Sequence, residues 1–192
     1  MGLFSWPRQK KIPKTRRQIA PYAPSDPPGM SDALIEIAKQ VGCQDALLDT
    51  VSRFAYDIPG FYGTHTEWFQ ERGLERSDPR IPWFGLICIL EANGYVCERD
   101  WKDELEDFVY FLGNLQNTKA YGLTVDPAWF RPEGDIVEWC TILRKKWERY
   151  VVAAFDINSD SYVLFPCHVD FFPRVEMLGR IVGGMFGIVG RG

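Results

Sequence analysis

Apolar residues recur at helical spacing through most of the chain and change to alternation near its end. Leu34, Ile35, Ala38 and Val41 mark one face of a helix that Ser31-Asp32 would cap and Gly42 would stop. Leu47, Leu48, Val51 and Phe54 predict a second helix over 44–56. Pro59-Gly60 and Gly63 predict a break, followed by a short helix over 66–72. The stretch 83–92 is apolar on nearly every side, which predicts a central helix with Pro82 in its first turn and Asn93-Gly94 as its stop. An amphipathic helix is predicted over 101–115, with Trp101, Leu105, Phe108, Leu112 and Leu115 inward and acidic residues outward.

Residues 117–132 read as an irregular loop anchored by Tyr121, Trp129 and Phe130. Helical spacing returns over 133–147, with Ile136, Val137, Cys140, Leu143 and Trp147 inward. Alternation over 150–157 and 161–167 flanks Asn158-Ser159-Asp160 and predicts a hairpin. A helix over 170–180 and a glycine-containing strand over 185–189 complete the pattern. The expected fold is α+β: one helix-rich domain over 31–192 with a small, mainly antiparallel C-terminal sheet.

Composition adds a charge division to this picture. The chain is 46% apolar and 15% aromatic, enough for a sizeable core. Residues 1–30 contain Arg8, Lys10, Lys11, Lys14, Arg16 and Arg17 against Asp26 alone, together with Pro27-Pro28-Gly29. That segment reads as a flexible, basic, proline-rich arm, because it has too little apolar surface to offset ordering entropy. The remaining 162 residues carry 16 basic and 25 acidic side chains, a formal charge of −9. Such a body repels phosphates, which argues against nucleic acid as a partner.

Five cysteines, none at C-x-x-C spacing, suggest neither a disulfide framework nor a zinc site. A reducing cytoplasm is the expected setting. The first residues lack the apolar core of a secretory signal, and Trp6 stands where a myristoylation motif needs Ser or Thr. No apolar run reaches the roughly 18 residues of a membrane span, so stable membrane insertion is not expected.

Several fragments resemble chemistry without completing it. His65-Thr66-Glu67 and Pro166-Cys167-His168 echo a zinc deaminase signature, but Asp170 stands where its second cysteine belongs. Asp156, Asn158 and Asp160 open like a calcium loop, yet Ser161 and Cys167 replace its glycine and its glutamate. Turn-closing side chains explain that triplet better. The glycines from Gly179 onward form no dinucleotide or phosphate loop, and no nucleophile elbow occurs. No catalytic residue, metal ligand or cofactor is assigned.

The densest charge feature is 98–107, with six carboxylates and two bases. On a helix Asp100, Glu104 and Asp107 would share one face, with Asp103 beside them. Carboxylates in a first helical turn also complement the macrodipole. As a surface, the four would steer a basic protein, with Trp101 and Trp129 as aromatic anchors.

The segment from Trp83-Phe84 through Asn93-Gly94-Tyr95, Glu98-Arg99-Asp100-Trp101-Lys102 and Glu106-Asp107-Phe108, with Asp156 and Ser159-Asp160-Ser161-Tyr162-Val163-Leu164, resembles an uncharacterised bacterial domain family over roughly 80–190. That resemblance implies no reaction. In size, acidity and lack of motifs the chain is also similar to cytosolic immunity proteins. Such proteins imply a basic toxin as partner. The expected function is therefore protein binding without catalysis, in the form of toxin neutralisation. Two alternatives are an enzyme whose site assembles from His65, Glu67 or His168, and a membrane adaptor held by the basic arm.

Overall fold

The structure, a computed structural model, describes residues 29–190. The basic arm predicted for 1–30 lies outside the described residues, apart from Gly29 and Met30. The first five helices are α1 (Met30–Val41), α2 (Asp45–Tyr56), α3 (Ile58–Thr64), α4 (Thr66–Gln70) and α5 (Ile81–Ala92). Strand β1 (Cys97–Asp100) follows, then α6 (Leu105–Asn114), α7 (Gln116–Ala120), a 3-10 turn at Pro127–Trp129 and α8 (Ile136–Lys146). The hairpin β2 (Tyr150–Phe155) and β3 (Ser161–His168), helix α9 (Phe172–Val182) and strand β4 (Phe186–Ile188) end the fold. The architecture is α+β.

The four strands form one antiparallel sheet in the order β1-β3-β2-β4. Successive side chains on a strand point to opposite faces. Val151, Ala153 and Phe155 of β2 and Val163, Phe165 and Cys167 of β3 pack with α1–α5 and α9. Val152, Ala154 and Leu164 join Cys97 of β1 and the apolar sides of α6 and α8. Both faces are therefore covered. This explains why Val151–Phe155 is a continuous apolar run, without the polar alternate positions of a half-exposed strand.

In the first layer α5 is buried from Ile81 to Leu90. Its Gly85 lies so close to the Phe54 ring that a Cβ there would come within 2.5 Å of it. Trp83 donates its indole N–H to the Asp156 carbonyl at 2.8 Å, tying α5 to the end of β2. The second layer uses the same device twice. Trp139 donates to the Arg131 carbonyl at 3.0 Å and Trp147 to the Thr124 carbonyl at 2.8 Å. Buried Asn117 joins the layers: its amide donates to the carbonyls of Val41 and Tyr95, and its oxygen accepts the Thr118 N–H.

The small antiparallel sheet lies near the C-terminus as expected, with β1 from the middle of the chain added at its edge. Several other expectations are corrected. Pro59-Gly60 does not break the helical path. Proline lacks only an N–H that a first turn leaves free, and Asp57 accepts the Gly60 N–H at 3.0 Å, so α3 forms there. Helix α1 is capped by Gly29, while the Ser31 hydroxyl donates to the Ala55 carbonyl of α2. The predicted loop over 117–132 contains most of α7 and the 3-10 turn. Val137, expected inward, is 43% exposed.

Candidate functional site

The segment expected to form one acidic helical face is a strand, a turn and a helix. Residues 97–100 pair with β3, with Arg99 opposite Tyr162 and Asp100 opposite Ser161. The chain then turns: Asp100 accepts the Lys102 N–H on its carboxylate and the Asp103 N–H on its carbonyl. Helix α6 starts only at Leu105, with Glu104 at its N-cap. Asp100, Glu104 and Asp107 thus do not lie along one helix, and the geometry that would have aligned them is absent.

The six carboxylates of 98–107 divide into two groups. Arg99 grips Asp103 with two nitrogens, the Nε contact measuring 2.7 Å, and the Asp103 side chain is only 6% exposed. That bond raises the Arg99 pKa above its ordinary value against the opposing effect of burial, with Asp107 adding a smaller contribution. Glu98 is paired with Arg72 at 2.9 Å, and Arg72 also holds Glu91 at 3.1 Å. Burial pulls the Arg72 pKa down, but the two glutamates and the neighbouring Cys88 outweigh it. Asp103 is thereby a structural partner of Arg99 and leaves the steering face. Asp100, Glu104, Glu106 and Asp107 stay exposed, with Lys102 as the exposed base among them.

The aromatic residues divide as well. Trp101, predicted inward, stands in the turn with 46% of its surface exposed and the Lys102 ammonium 4.7 Å from its ring. Trp129 is half-buried, packed against the second core, with Lys146 over its ring at 5.1 Å. The two expected anchors therefore belong to different surroundings. Two residues not singled out in the sequence complete the surface. Tyr110 and Phe111 on α6 are 63% and 39% exposed and meet edge to face at 5.3 Å. Their signal was present, since neither falls on the inward stripe of Leu105, Phe108, Leu112 and Leu115.

The histidines have separate neighbours. His65 stacks on Phe61 at 3.9 Å, with Nδ1 2.9 Å from the Thr64 hydroxyl. His168, at the end of β3, accepts the Asp170 N–H at 3.2 Å and meets Tyr150 edge-on. Glu67 is exposed on α4. Among the described residues no group of three or more His, Cys, Asp or Glu side chains is placed to hold a metal ion. No helix there is long and apolar enough to cross a membrane. A shallow recess of about 320 Å³ is lined by Gln44, Thr50, Asn93, Tyr95 and Gln116 and has no charged side chain.

Burial pushes the thiols of Cys43, Cys97 and Cys167 up to about 12, and that of Cys140 well above its ordinary value. A reactive cysteine needs the opposite shift. The calcium-like triplet is a turn: Asp156 accepts the Asn158 N–H at 2.8 Å, Ser159 accepts the Ser161 N–H, and Asn158 has a φ of 54°.

No curated protein and no solved structure matches the chain. A family model does match, and its range begins in α1, well before the stretch that carried the resemblance in the sequence. That model, a domain of unknown function (DUF6630), covers residues 33–184, and the chain belongs to this family.

Proposed function

We propose that this protein is a non-catalytic binding protein that docks a basic protein partner on the β1–α6 turn and the outer face of α6. Its specific form would be a cytoplasmic immunity protein that occludes a bacterial toxin. One observation carries the reading: Trp101, Tyr110 and Phe111 are held in solvent on the same short segment as Asp100, Glu104, Glu106 and Asp107. Exposed aromatics rimmed by charge match the composition of binding hot spots, and the carboxylates would steer a cationic partner.

The test is capture of a partner by the tagged full chain, with a Trp101→Ala/Tyr110→Ser variant alongside. A stoichiometric basic protein retained by the natural chain and lost by the variant supports the reading. Equal retention by both overturns the assigned face, and toxicity of the partner expressed alone decides the immunity form. Reversing Asp100, Glu104 and Asp107 is expected to slow association and flatten its salt dependence.

A further inference from the structure

The molecule repeatedly pairs its own rings with its own cations. Arg99 lies 4.1 Å from the centre of Phe111, Lys102 sits over Trp101, Lys146 sits over Trp129, and Arg72 and Arg80 both approach Phe84. In the Arg99 arrangement the guanidinium that covers the ring is also held by the Asp103 carboxylate, just as Arg72 is held by Glu91 and Glu98 and Arg80 by Asp78. Tyr110 is not among these rings. It is the most exposed aromatic of α6, and among the described residues no cation of the chain lies over it.

Its surroundings contain the other half of such an arrangement. Glu106 and Asp107 precede Tyr110 by four and three residues, so both lie on its side of the helix. Both are exposed, and Glu106 has no ion pair among the described residues. Asp107 contributes only a weak, distant interaction to Arg99. One turn of α6 therefore presents a ring and two carboxylates without a cation.

We infer that the partner supplies an arginine whose guanidinium lies on the Tyr110 ring and donates its edge to Glu106 and Asp107. The inference rests on the protein-binding reading above and names the chemistry of its contact. Arginine fits better than lysine for a geometric reason. A planar guanidinium keeps its in-plane donors free for carboxylates while its face covers a ring, whereas an ammonium has no such face. The Arg99–Phe111–Asp103 cluster displays this division of contacts on the neighbouring residue of α6.

The experiment titrates the full chain with oligo-arginine and oligo-lysine peptides of equal length at low salt, following the Tyr110 ring by NMR. Oligo-arginine is expected to bind about fivefold more tightly than oligo-lysine. Tyr110→Ser removes that preference, Tyr110→Phe keeps it, and Glu106→Gln weakens both peptides. Equal affinities in the natural chain, or a preference that survives Tyr110→Ser, overturn the inference. Replacing Arg8, Arg16 and Arg17 with Lys in the full chain, which keeps the net charge, is expected to leave the affinities unchanged. A clear rise would place the chain's own arginines on Tyr110 and also overturn it. The protein-binding reading is judged separately, by capture of a partner through Trp101 and Tyr110.

Discussion

The helices on the two sides of the sheet use their aromatic residues differently. In the first layer Trp83, Phe54, Phe69, Phe155 and Phe186 are all buried, and α5 exposes none of Ile81–Leu90. Tyr56 and Phe171 are exposed there, but each lies at the end of an element. In the second layer α6 buries Leu105, Phe108 and Leu112 while holding Tyr110 and Phe111 out in its middle turns. The first layer is committed to folding. The second has a thinner core and leaves large aromatic side chains exposed, and the proposed binding face lies there.

The largest expected effect tests both layers together. Cys43 and Cys167 belong to the first core, Cys97 and Cys140 to the second. Each folded thiol titrates higher than its ordinary value of 9.0, to about 12 for three of them and well above 9.0 for Cys140. A raised folded pKa leaves stability intact below the unfolded value. The unfolded chain gains from ionising as pH climbs from about 9 towards 12, and the native state loses. Chemical denaturation across that window should show stability falling until the fold is lost. Cys140→Ala and Cys43→Ala should each flatten the slope, and a slope left unchanged by one of them would assign the pH dependence to the other layer.

Next in size is the loss of a single large side chain from each core. Trp139→Ala empties a fully buried site beside Phe108 and takes one of two donors from the Arg131 carbonyl, so it is expected to cost about 4 kcal/mol in denaturant titration. Leu86→Ala in the thicker layer is expected to cost about 3 kcal/mol. A reversed order would show that the second layer is the better supported.

Smaller again, Asp103→Ala leaves Arg99 half-buried without its carboxylate and should cost about 2 kcal/mol. Glu104→Ala, fully on the surface, should stay within about 0.5 kcal/mol. The smallest effect on stability is expected where the effect on binding is greatest. Trp101→Ala and Tyr110→Ser should each shift stability by no more than about 0.5 kcal/mol while partner capture is lost. A large loss of stability at either position would return it to the core.

Much of the first layer is legible in the sequence because its signals are local and redundant. Helix α5 is apolar all round, Gly42 with a φ of 97° ends α1, and Asn158 turns the hairpin. Strand β1 reads from the sequence only as a short extended stretch before the helix, for a physical reason. Cys97-Glu98-Arg99-Asp100 has no β-branched residue, and pairing with β3 makes it a strand. Arg99 and Asp103 are spaced like a helical ion pair, and a strand followed by a turn produces the same contact. The apolar stripe that begins at Trp101 extended the predicted helix too far, and the spacing of Asp100 with Glu104 and Asp107 placed Asp100 on it. The acidic character of the site could be read from the sequence. Which carboxylates were already taken depended on Arg72 and Arg99, one of them well outside the segment.

The outer side of β1 has a consequence for how the molecule behaves in a crowd. An edge strand with free backbone groups invites a neighbouring chain to add another strand, and assemblies grow from such edges. Here the Glu98 N–H donates to the Glu91 carboxylate and the Asp100 carbonyl accepts the Asp103 N–H. At the opposite margin β4 is only three residues long. Glu91, which also shares Arg72 with Glu98, thus occupies an N–H that an added strand would need. Its replacement by leucine would leave the fold in place but make concentrated solutions prone to strand-by-strand aggregation.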